Sequence, residues 1–231
     1  MVADSHNDNL YLKKALSQTK QDPQIKFIIG LGDYTEVGTI DELKNAKKEL
    51  DDASIRYFLT VGDHDLWDAR NKGLPATANF NQLFGPAYQS FSFENFYFIL
   101  LFNSDNYQGV DEDQMRWLQQ QLQKAKQEGR IIFIFTHEPL YHPSSDHVMG
   151  RVEGNLKIQA KNLIRTLKDW GVSKVFSGDT HYFSQYSEPE TGLIMVTVGA
   201  LTSQRNVQAP RFAKVLVYEN GDTQVEDVEI K

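Results

Sequence analysis

Three stretches of this chain share one grammar, an apolar run that enters a glycine and delivers an acid or a histidine just beyond it. The first is Lys26-Phe-Ile-Ile-Gly-Leu-Gly-Asp33, the second Phe58-Leu-Thr-Val-Gly-Asp63-His64-Asp65, and the third Lys174-Val-Phe-Ser-Gly-Asp179-Thr-His181. A short apolar run of this kind reads as a buried strand. In open α/β sheets the carboxyl ends of such strands are where ligands bind. Taken alone, Gly32-Asp33 is equally a turn or a helix cap. Repetition of the pattern is what turns it toward function, and it constrains the chain to several buried strands whose polar ends meet.

Between these stretches the sequence alternates. Residues 8–17 carry Leu10, Leu12, Ala15 and Leu16 at helical spacing. Thr39-Ile-Asp-Glu42 is a capping box that opens a second helix to about Asp51. Residues 88–93 and 96–102 form an aromatic-rich hairpin turning at Glu94-Asn95, with the rings expected in the core. Asp111 opens a long helix to Gly129, and residues 130–136 are a wholly apolar strand ending at His137. A helix over 156–170, a strand over 172–177, and four short strands between 182 and 230 complete the chain. The looser stretch up to about Gly85 is expected to line the site. This order predicts an α/β fold of two stacked mixed sheets with helices outside. At 231 residues one domain spanning 1–231 is expected.

Composition narrows the chemistry. The chain holds no cysteine, so any metal must be held by histidine and carboxylate. A formal charge of -7 argues against bulk nucleic-acid binding or an anionic membrane surface. No apolar run is long enough to span a bilayer, and no signal-peptide pattern precedes Asp4; a soluble chain is expected. Only Met1, Val2 and Ala3 stand before Asp4. If Asp4 ends a core strand, most of that strand is missing, which predicts a misplaced start or a trimmed chain, and in-frame coding sequence upstream would confirm it.

Acids and histidines stand at strand ends in five segments: Asp4-x-His6, Gly32-Asp33, Gly62-Asp63-His64-Asp65, His137, and Gly178-Asp179-Thr-His181. Four of the six histidines fall in them. Carboxylate oxygen and neutral imidazole suit a divalent cation. In an extended segment the two side chains of Asp-x-His lie on one side and can converge on one centre.

In this order the segments resemble the motif series of the calcineurin-like metallophosphoesterases, a family that includes purple acid phosphatases and cyclic-nucleotide phosphodiesterases. The series is D-x-H, G-D, G-N-H-D/E, a lone His, and G-H-x-H. The resemblance implies a four-layer α/β/β/α sandwich and two divalent metal ions (Mn, Fe, Zn or Mg). It implies a first metal held by Asp4, His6, Asp33 and His181, with Asp33 bridging to a second held by Asp63, His137 and Asp179. It implies hydrolysis of a small phosphoester substrate by a metal-bridging hydroxide attacking phosphorus in line. His64 takes the family's place for a histidine that stabilises the transition state or donates a proton, and Glu36 the place of an acid that orients it. The chain departs from the pattern twice: Asp63 replaces asparagine, and Asp179 replaces the first histidine of G-H-x-H. Both remain able to ligate, and two added carboxylates predict a second site that favours hard cations. The competing reading is a metal-binding or ligand-sensing relative that has lost turnover. Outside the series, His142 and His147 stand in a loop that could reach the site, and Arg151 and Asn106 are candidate phosphate contacts.

Overall fold

The computed structural model describes residues 1–231 and carries six helices and ten strands. The helices are α1 (Asn9–Lys20), α2 (Ile40–Ala53), α3 (Trp67–Asn71), α4 (Ala78–Phe84), α5 (Glu112–Gln127) and α6 (Leu156–Asp169). The strands are β1 (Ile28–Leu31), β2 (Tyr57–Thr60), β3 (Gln89–Phe93), β4 (Phe96–Leu100), β5 (Ile131–Phe135), β6 (Lys174–Ser177), β7 (Ser184–Ser187), β8 (Ile194–Thr197), β9 (Arg211–Val217) and β10 (Thr223–Glu229).

Two sheets stack face to face. One is six-stranded, in the order β3-β4-β5-β6-β8-β7. Its four central strands are parallel and its two edges antiparallel. The other joins the parallel pair β1-β2 to the antiparallel pair β9-β10. Met1 and Val2 make that join. The Val2 N–H donates to the Ile29 carbonyl at 3.0 Å, the Leu31 N–H to the Val2 carbonyl at 2.8 Å, and the Ala213 N–H to the Met1 carbonyl at 3.0 Å. Backbone groups buried between sheets need such partners, and in the Met1–Ala213 bond residues over two hundred positions apart supply them.

Three apolar clusters fill the spaces between the layers. One lies between the six-stranded sheet and α5 and α6, around Ile99, Leu118, Ile134 and Leu163. A second packs α1 and α2 on the smaller sheet through Leu12, Leu16, Leu43 and Leu50. The third, between the sheets, is largely aromatic and includes Phe58, Phe98, Phe133, Phe135 and Phe176. Helix, sheet, sheet and helix therefore follow in four layers, the expected sandwich, and the hairpin aromatics are core. The stretch after Asp63, expected to be loose and to line the site, instead holds a 3-10 turn at His64–Leu66 and the short helices α3 and α4, and of it only His64 lines the cleft. Too short to show a helical period, α4 is fixed by tertiary burial of Phe80. The capping box forms as read, Thr39 accepting from the Glu42 N–H at 3.2 Å while the Glu42 carboxylate accepts from the Thr39 N–H at 3.1 Å.

Candidate metal centre

The ends of the N-terminal segment, β1, β2 and β6 open into one polar cleft of about 390 Å³, and the β5 end places His137 buried beneath it. Its lining includes His6, Asp33, Asp63, His64, Asp179 and His181. Five of the site positions hold a left-handed backbone: Asp4 (φ 54°), His6 (φ 44°), Asp33 (φ 54°), Asp179 (φ 64°) and His181 (φ 58°). Each costs about 1–3 kcal/mol where a side chain is present. The surrounding contacts must hold these turns in place. This corrects the extended-segment argument. Asp4 and His6 do meet, with His181, but Asp179 turns away from His181 to join Asp63 and His137.

Asp65 does much of the holding. It is fully buried and accepts hydrogen bonds from the N–H groups of Asp33, Tyr34, Thr35 and Gly62, at 3.0 to 3.1 Å, and from the Thr35 hydroxyl at 2.8 Å. Burial pushes its carboxyl up to about 6 even with these donors. Its position two residues beyond Asp63 marked it in the sequence, but not its role, which is to bind the β1 turn to the β2 turn. The two turns touch so closely that a Cβ on Gly62 would run into the Asp33 carboxylate and backbone nitrogen. Gly32, at φ 94°, faces His137 and Gly62 with the same lack of space.

The ligand-type atoms fall into groups whose members lie within 4.8 Å of one another: Asp4, His6 and His181; Asp4, Asp33 and His137; Asp63, His137 and Asp179; and His6, Asp33 and His64. Asp33 stands between two of the imidazoles. Its Oδ2 is 3.6 Å from His6 Nε2, and its Oδ1 is 3.4 Å from His137 Nε2. His137 Nδ1 donates to the Leu31 carbonyl at 2.7 Å and His181 Nδ1 to the Arg205 carbonyl at 3.0 Å, which aims each Nε2 inward. Such backbone anchoring is typical of metal-ligating histidines. His137 Nε2 is buried and without a hydrogen-bond partner, and the His6 and His181 Nε2 atoms face each other at 3.1 Å. Nitrogen lone pairs directed at one another and at carboxylates fit a set of cations.

His64 sits at the rim. Its Nδ1 donates to the Glu36 backbone carbonyl at 2.7 Å, and its ring stacks on Trp67 at 4.1 Å and 27°. Residue 36 therefore orients His64 through its main chain. The Glu36 carboxylate instead pairs with Arg205 at 2.8 Å and lies 3.8 Å from His6 Nδ1. Asn106 donates to Asp63 at 3.2 Å, so its amide holds a site carboxylate. His142 is tied to Ser184 and Tyr182 away from the cleft, whereas His147 reaches within 3.9 Å of Asp179. Sequence reading missed Arg205, Trp67 and Glu138. Glu138 is buried with one unpartnered oxygen beside a side pocket, and burial pushes its carboxyl up to about 8.

Charge in the cleft is finely opposed. Burial and the neighbouring cationic groups lower the His6 pKa to about 3, leaving a neutral ligand. Burial disfavours a proton on His137, yet the charge of Asp33 and the nearby Asp63 carboxylate, 3.6 Å from Nε2, outweigh it and raise its pKa well above the usual value. Burial raises Asp4 and Asp33. Burial also opposes ionisation of Asp63, but the His137 imidazole 3.6 Å away, together with the Asn106 amide, holds it at about 2. At neutral pH the cation-free cluster thus retains protons that an entering cation must displace. Affinity for Mn²⁺ is expected to tighten as pH rises above 6.5, through the raised His137 range, with proton release visible by calorimetry in buffers of different ionisation heat. Affinity independent of pH, with no proton released, would contradict this account.

Residues 1–183 match the family model for calcineurin-like phosphoesterases. A search of curated proteins gives no match. Among solved structures, a dimetal phosphatase from Danio rerio is similar with a TM-score of 0.72 at 17% identity, over 97% of this chain and 87% of that one. A purple acid phosphatase from yellow lupin (Lupinus luteus) gives 0.69 at 14%, over 94% of this chain and 46% of that one. GAP50, the anchor in the inner membrane complex of Plasmodium, gives 0.63 at 16%, over 100% and 87%.

Proposed function

Because the chain belongs to the calcineurin-like phosphoesterase family, we propose that it is a metal-dependent hydrolase of a small phosphoester. The observation that carries this reading is the Asp33 carboxylate set between two imidazoles, with the His64 ring held at the rim and its Nε2 unbonded. Asp4, His6 and His181 would hold one cation and Asp63, His137 and Asp179 the other, with Asp33 shared. When bound, two such ions lower the pKa of water and offset charge on the transferring phosphoryl group.

The remaining work belongs to the chain. The Asp65 cradle keeps the β1 and β2 turns in register, so the shared carboxylate stays between the two ligand sets. The carbonyl anchors of His137 and His181 fix their tautomers. His64, its Nδ1 committed to Glu36, has only Nε2 to present to substrate; carrying a proton there, it donates to a phosphoryl oxygen or to the leaving oxygen. Carboxylate-rich ligation at the second position favours Mg²⁺ or Mn²⁺ over zinc.

A reading without turnover has two observations in its favour. Asp63 and Asp179 add negative charge to a centre that must attract an anion, and the same fold serves as an anchor in GAP50. One experiment separates the two: metal analysis of purified protein, paired with assays of p-nitrophenyl phosphate and its bis ester under Mg²⁺, Mn²⁺ and Zn²⁺. Turnover with a hard cation at the second position is expected. A fully loaded protein that cleaves neither ester would establish the binding reading instead.

A further inference from the structure

Four carboxylates, Asp4, Asp33, Asp63 and Asp179, enter the candidate ligand groups. Their charges offset those of two divalent cations completely, so such a centre holds cations while offering a phosphate little net positive charge. Other cations in the cleft then decide where an anion sits. Arg205 is already paired with Glu36 at 2.8 Å. Arg151 has no carboxylate partner. Its side chain meets the ring of His147, with Nη1 2.8 Å from Nδ1. His147 in turn stands 3.9 Å from Asp179.

The loop that carries this pair is anchored. Met149 is buried, and its N–H donates to the Pro139 carbonyl at 2.9 Å. Gly150, at φ 90°, presses against the start of α6, where a Cβ would run into the Lys157 backbone. The Arg151 N–H donates to the Val148 carbonyl at 3.0 Å. His147 and Arg151 therefore flank a fixed point and share one wall of the cleft, beside Asp63 and Asp179.

We infer that Arg151, positioned by His147, binds the non-bridging oxygens of the substrate's phosphate. The chain thereby supplies from a guanidinium the attraction that its extra carboxylates take from the metals. A guanidinium offers parallel donors that match two phosphate oxygens, which a lysine ammonium does not. The inference rests on the phosphoesterase reading, but its test reads binding, so the two can fail separately.

The Mn²⁺-loaded protein is titrated with inorganic phosphate by calorimetry, and metal content is measured on the same samples. Arg151→Gln is expected to weaken phosphate binding 10- to 100-fold with metal content unchanged. Arg151→Lys should recover only part of the loss, and His147→Gln should weaken binding a few-fold. Three results would overturn the inference: a parent that binds no phosphate, an Arg151→Gln protein that binds it as tightly as the parent, or one that loses metal. Loss of metal would make the loop part of the ligand shell.

Discussion

Asp33→Asn is expected to empty both metal positions and abolish hydrolysis. The two carboxylate oxygens face different imidazoles, His6 Nε2 at 3.6 Å and His137 Nε2 at 3.4 Å, so on the two-cation reading proposed above one charge would serve both ions. At about 4 Å and an effective dielectric near 20, a unit charge contributes about 4 kcal/mol to each univalent partner. Its loss therefore costs at least about three orders of magnitude in affinity at each position. The fold should survive. An acid whose folded pKa lies above its unfolded value costs stability at any pH above the unfolded value, and burial raises Asp33 well above its ordinary value. The chelated variant should thus melt no lower than the chelated parent at neutral pH. Elemental analysis, melting and a phosphoester assay on the same preparation check all three statements. Full occupancy at both positions with near-normal turnover would remove the shared-ligand account.

Much of this centre was legible because its parts are local. The glycines that let the β1 and β2 turns touch precede the acids those turns deliver, so Gly32-Asp33 and Gly62-Asp63 are visible as dipeptides, although the carboxylate packed against Gly62 is that of Asp33. The Thr39 and Glu42 capping box is likewise visible three residues apart. The hairpin turn at Glu94, which takes φ 52°, was marked by its flanking aromatic runs. What stayed hidden depends on contacts between distant residues. Nothing near Met1 shows that it pairs with Ala213. Asp65 stood in the motif, but only the folded turns show that it accepts five donors rather than serving as a ligand. Glu36 stands beside His64, but not as the orienting acid expected: it makes the contact through a carbonyl, which every residue has and no sequence pattern marks, while its carboxylate pairs with Arg205. Asp179 and His181 join different ligand groups while Asp4 and His6 share one, although all four positions hold a left-handed backbone; an x-in-the-middle pair read as extended does not distinguish the two outcomes.

His64→Ala is expected to keep its metal content and lose turnover by about 10²-fold or more, the usual scale for a positioned proton donor. The ring is held on three sides: Nδ1 by the Glu36 carbonyl, one face by Trp67, and an edge by His6 at 4.6 Å. So restrained, it leaves Nε2 as the one polar atom free to meet substrate. The competing role is ligation, because a His64 ring nitrogen also lies within 4.8 Å of His6 and Asp33 ligand atoms. Metal analysis separates the two, since a ligand's removal empties a position and a donor's does not. The leaving group separates the two catalytic roles. Protonation matters most for an alkoxide and least for p-nitrophenolate, which departs readily as an anion. A proton donor's loss should therefore slow alkyl phosphates far more than p-nitrophenyl phosphate. Equal slowing of both would assign His64 to the phosphoryl oxygen, and an unchanged rate on both would leave it as a structural contact of the His6 and Trp67 rings.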